Sequence, residues 1–60
     1  MIKEFDKIRL KTGRRGRILE IFSDNTFLAE VVKENGDVEI DEIERDAIKA
    51  IIVEVEQAVS

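Results

Sequence analysis

The sequence contains no cysteine and no histidine. The first absence excludes disulfides. The two together remove the usual zinc ligands, so no structural metal is expected. Tryptophan and tyrosine are missing too. A groove for proline-rich peptides and a cage for methylated lysine are both lined by such aromatics, so neither is expected. Without His, Cys or Tyr to act as base or nucleophile, and with the few Ser and Thr in turns or at the terminus, the chain is expected not to be an enzyme and to need no cofactor. Paired carboxylates are plentiful, but catalysis by two of them needs a cleft and separated pKa values. Proline is absent, and no low-complexity stretch or internal repeat is visible. The longest apolar run is Ala50 to Val53, far below the roughly 20 residues of a membrane span. No charged-then-apolar leader opens the chain, so the expected location is cytoplasmic.

Sixty residues are enough for a single domain, 1–60, with a core region of about 5–55. A chain of this size buries only about 60% of the surface its unfolded form exposes. It therefore depends on a tight core, on self-association or on a partner. Apolar residues make up 43% and charged residues 40%, which reads as globular and not as disordered. The net charge of −4 is unevenly spread. Residues 1–17 carry +5, from Lys3, Lys7, Arg9, Lys11, Arg14, Arg15 and Arg17 against Glu4 and Asp6, and the remainder carries −9. Such separation bears on partners and not on fold.

Apolar residues recur mostly at spacing two, the strand period. Ile8 and Leu10 alternate with bases in a first strand near 5–11. Thr12 to Gly16 follows as a loop, because its two glycines permit backbone angles other residues avoid. Arg17 to Phe22 reads as a second strand with Ile18 and Ile21 in the core, and the spacing of three between them fits a bulge. Ser23 to Thr26 is a polar turn. Phe27 to Lys33 is a third strand, with Phe27, Ala29 and Val31 on one face and Leu28, Glu30 and Val32 on the other. At least two of Phe5, Phe22 and Phe27 are expected in the core. Asn35-Gly36 predicts a tight hairpin in which both residues take positive φ. Val38 to Glu42 is then a fourth strand with Val38 and Ile40 facing in and Glu39 and Asp41 facing out. Ile43 to Ala47 makes one helical turn. Ile48 to Val55 is a fifth strand rich in β-branched residues, and 57–60 is expected to fray. A helix over 41–59 competes, since Ile40, Ile43, Ala47, Ile51 and Val55 fall near helical spacing. The β-branched run Ile51-Ile52-Val53 favours the strand. Five short strands with tight turns predict an all-β domain, a small five-stranded SH3-like barrel with one short helical turn before the last strand.

Phe5-Asp6-Lys7-Ile8-Arg9-Leu10, followed by Gly13 and Gly16-Arg17-Ile18 through Ile21, is similar to the opening of SH3-like barrels of the KOW type. The chain departs from that pattern in its acidic net charge and in lacking Gly before Asp6. Through Glu30-Val31 and Asn35-Gly36, residues 5–53 also resemble a family of short bacterial SH3-like barrel proteins of unknown function. The KOW resemblance implies nucleic-acid contact. The second implies a small accessory protein, an antitoxin or immunity-type partner among the possibilities, and supplies no catalytic residue.

Three surfaces are candidates for function. An acidic strand face, Glu39, Asp41 and Glu42 with Leu28 and Val32 nearby, fits docking on a basic or apolar protein partner. The same charges also fit edge protection. The basic loop, Arg9, Lys11, Arg14, Arg15 and Arg17, fits contact with nucleic-acid phosphates, or simple chain reversal with solvated arginines. An outer apolar face of Leu19, Leu28 and Val32, joined by either Ile52 or the opposed pair Ile51 and Val53, fits a second copy, hence a homo-oligomer, or a small second core. The expected function is a non-catalytic protein-binding module, with nucleic-acid binding and self-assembly as the alternatives.

Overall fold

The computed structural model describes residues 2–53. Five antiparallel strands form one sheet: β1 (Lys7–Leu10), β2 (Arg15–Ile21), β3 (Thr26–Val32), β4 (Val38–Glu44) and β5 (Ile48–Ile52). A 3-10 turn, Arg45–Ala47, precedes β5. The spatial order is β4-β3-β2-β1-β5, so β4 and β5 are the edges. The all-β class and the helical turn before the last strand agree with the sequence reading. The competing helix does not form over 41–53, which is strand, 3-10 turn and strand ending at Ile52. Its C-terminal part, the proposed end of the last strand at 54–55 and the expected frayed end lie outside the described residues. No described helix is long and apolar enough to cross a membrane.

The core is the alternate face of the three central strands. Ile8, Leu10, Ile18, Phe27, Ala29 and Val31 are buried, together with Ile2 from the N-terminal segment. Ile43, Ala47, Ile48 and Ile51 pack against this cluster from the two edges. Phe27 is the aromatic of the core, whereas Phe5 and Phe22 are exposed, so the expectation of a second core aromatic is corrected. The expected bulge is present: Ile18 pairs with Ala29 but Glu20 with Leu28, leaving Leu19 as the extra residue. It carries Ile21 to a position opposite Phe27, near the end of the sheet, where it is 38% exposed and not in the core as predicted.

The largest correction concerns β4. The Lys33 carbonyl accepts from Gly36 N, and Lys33 N donates to the Asp37 carbonyl. Three residues, Glu34-Asn35-Gly36, therefore form the loop, with positive φ at Gly36 (90°) and not at Asn35. A type I turn closed by a left-handed glycine has this pattern. Asn35 fixes it by accepting from Asp37 N and donating to the Asp37 carboxylate. The register becomes Val32↔Val38, Val31↔Glu39 and Glu30↔Ile40. A two-residue turn would have shifted it by one, and a one-residue shift moves every side chain to the opposite face. Val38 and Ile40 consequently lie on the face away from the core, 55% and 62% exposed, and Glu39 and Asp41 lie on the core's side of the sheet.

The β1–β2 connection is shorter than expected, because β2 begins at Arg15. Gly16 pairs with Ile8 on one side and Val31 on the other. A Cβ there would lie 2.6 Å from the Glu30 carbonyl oxygen. That oxygen is backbone and cannot yield without disturbing the β2–β3 ladder. Gly16→Ala is expected to lower stability by about 2 kcal/mol, the scale of an overpacked interior, as read by urea denaturation. A change within a few tenths of a kcal/mol would show that the strands separate freely here.

Candidate functional site

Side chains alternate across a strand, and antiparallel partners share a face. Lys7 pairs with Arg17 and Arg9 with Arg15, so four cations share the sheet face opposite Ile8 and Ile18. One row crosses the whole sheet: Ile40, Glu30, Arg17, Lys7 and Ile52. The four cations border a groove of about 620 Å³ with Gly16, Glu30, Val32, Val38 and Ile52. Glu30 is the single carboxylate in this lining.

Like charges directly opposite one another in a sheet are destabilising, and here two such pairs lie side by side. Arg15 and Arg17 form no ion pair among the described residues. Arg9 is half-buried, and its guanidinium donates to the Gly13 carbonyl at 3.3 Å, which holds its head near the hairpin. The groove offers fixed positive charge between apolar walls. Charge of this sign attracts anions, with Glu30 as the one opposing group in the lining.

The sequence-predicted basic set is thus partly assembled. Arg9, Arg15 and Arg17 converge. Arg14 instead approaches Glu34, 3.7 Å away on the β3–β4 hairpin. Lys11 sits in the β1–β2 hairpin, its amide donating to the Ala47 carbonyl. Lys7 was not among the predicted site residues. Its signal was present nonetheless, as two bases at spacing two on each side of a glycine turn.

The predicted acidic set is divided. Leu28, Val32 and Glu42 share the groove's face with Val38 and Ile40, while Glu39 and Asp41 occupy the other. On that other face Lys33 lies 3.3 Å from Glu39, which partly neutralises the row. Desolvation, then a hydrogen bond and charge repulsion from Glu39, raises the Asp41 carboxyl above its ordinary value of 3.8, against smaller opposing effects of Lys33 and Arg14. Among the described residues no three carboxylates converge as metal ligands would.

No family model, curated protein or solved structure matches this chain.

Two predictions follow from the charge layout. Arg15→Glu turns a repulsive pair with Arg9 into an attractive one, so stability at low salt should rise by about 0.5 kcal/mol. A lower melting temperature for this variant would contradict the cross-strand repulsion. A carboxyl whose pKa is raised by folding holds its proton more tightly in the folded state, so its ionisation weakens the fold as pH climbs past 3.8. Asp41→Asn should therefore be the more stable protein at neutral pH, with the difference vanishing below that range. Parallel denaturation curves at neutral and acidic pH would show it.

Proposed function

We propose that this chain is a non-catalytic binding module that grips the phosphate backbone of nucleic acid in the groove between β1, β2 and β3. The observation that carries this reading is the double like-charge pairing of Lys7 with Arg17 and Arg9 with Arg15. A surface strand built for solubility alternates its charges. Here like charges stand opposite each other on two adjacent strands of an otherwise acidic chain, with Glu30 beside Arg17 as the one counter-charge in the groove, a layout that favours an anionic ligand. Backbone contacts of this kind give affinity without reading sequence. The groove's apolar walls, Val32, Val38 and Ile52, suit the sugar and base portions of a strand better than a free small anion.

A second reading rests on a different observation. Val32, Val38 and Ile40 are exposed together on β3 and β4, beside Leu28 and Glu42 on the same face. This patch, which includes the groove walls Val32 and Val38, suits a protein partner, or a second copy of the chain, docking over that side of the groove. Sedimentation across a concentration range distinguishes self-association from a constant monomer.

Binding of a fluorescent single-stranded RNA, followed by anisotropy, tests the main reading. With four phosphates neutralised, a roughly fourfold rise in salt should weaken binding by about 50-fold. Arg15→Glu combined with Arg17→Glu should abolish it without unfolding the protein. Undetectable binding at low salt, or binding indifferent to this double substitution, would overturn the proposal.

A further inference from the structure

Phe5 is 69% exposed, and it is the described non-glycine residue with positive φ, at 68°. It occupies the third position of a turn in which Asp6 N donates to the Lys3 carbonyl. Turns with positive φ there ordinarily use Gly or Asn, because a side chain crowds the backbone. The carboxylate of Asp6 accepts from Lys3 N and closes the turn from the other side. Neighbouring bonds fix it to β2: Phe5 N donates to the Ile18 carbonyl at 2.7 Å, and Ile18 N donates to the Asp6 carbonyl at 2.9 Å. The chain thus holds one of its two exposed phenylalanines in an unfavourable backbone conformation, tied to β2 by two backbone hydrogen bonds. Backbone strain maintained at a surface position is a pointer to use by a ligand.

Its location says which ligand. Phe5 lines a small depression with Asp6, Lys7, Ile51, Ile52 and Val53. Lys7 and Ile52 line the basic groove as well, so the two recesses adjoin at these residues. An aromatic beside a cationic track is the pairing by which proteins hold single strands, with charge following the phosphates and a ring stacking on a base. Duplex stacks its bases internally and has none to offer. We infer that Phe5 is a stacking residue for an unpaired base, and that the ligand of the groove is single-stranded nucleic acid. This inference rests on the groove reading above and narrows it.

The protein has no tryptophan or tyrosine, so Phe5→Trp introduces a single reporter at the site. Its emission should be quenched by a single-stranded oligonucleotide, and left unchanged by inorganic polyphosphate or by an abasic strand of equal length. In anisotropy, Phe5→Ala should weaken the oligonucleotide about tenfold while polyphosphate binds as before. Phe5→Leu should remain weak and Phe5→Tyr should recover, which separates stacking from mere apolar contact. Full recovery by Leu, or equal oligonucleotide affinity for Ala and Phe, overturns the stacking role even if Arg15→Glu with Arg17→Glu abolishes binding. Tighter binding of duplex than of single strand overturns it as well. Failure of both oligonucleotide and polyphosphate to bind overturns the groove reading itself and this inference with it. Binding of an acidic polypeptide alone has the same force.

Discussion

The close approach of the Glu30 backbone to Gly16 is the constraint on which both faces of this sheet depend. Gly16, with no side chain, lies between Ile8 and Val31, both of them buried in the core. On the opposite side the same residue lies in the floor of the basic groove. Its neighbours Arg15 and Arg17 flank it as the alternation demands. A core this small leaves little reserve, so a contact that sets strand spacing sets much of the stability too. The core and the groove are two sides of one packing solution.

Strand placement was legible because the residues that break strands are few and well marked. Gly13, Gly36 and the Ser23–Thr26 cluster separate the runs, and alternation fills the rest. The spacing from Ile18 to Ile21 even disclosed the bulge at Leu19. What alternation could not disclose was phase. Asn35-Gly36 is compatible with a two-residue loop and a three-residue loop, and the choice between them reverses β4. The hydrophobic pattern of Val38 and Ile40 argued for the wrong face, because an edge strand extending past a small core need not follow the core's pattern. Only Ile43 of that strand packs inward.

The site was legible in part for the same reason. A basic loop was visible, yet loop membership was the wrong grouping. Arg14 and Arg15 adjoin in sequence and part in space, whereas Lys7 and Arg17 are ten residues apart and directly opposed. Pairing register, not proximity along the chain, decides which charges meet. The exposure of Phe5 was invisible from composition, since an aromatic in so small a protein is expected inside. Its left-handed backbone is a tertiary result, fixed by two bonds to β2.

β4 closes one margin of the sheet with Glu39, Asp41, Glu42 and Glu44 along it. Carboxylates discourage another chain from adding to an open ladder only while they are ionised. Asp41, with its proton affinity raised by desolvation and by Glu39, gives up its charge at higher pH than a free aspartate does. Val38 and Ile40, left exposed by the turn at Gly36, stand on this same edge strand. The colloidal behaviour of the protein is therefore bound to the geometry of one hairpin. The three-residue loop that turned these aliphatic side chains outward also set them on the sheet's open margin, among carboxylates that hinder edge-to-edge assembly.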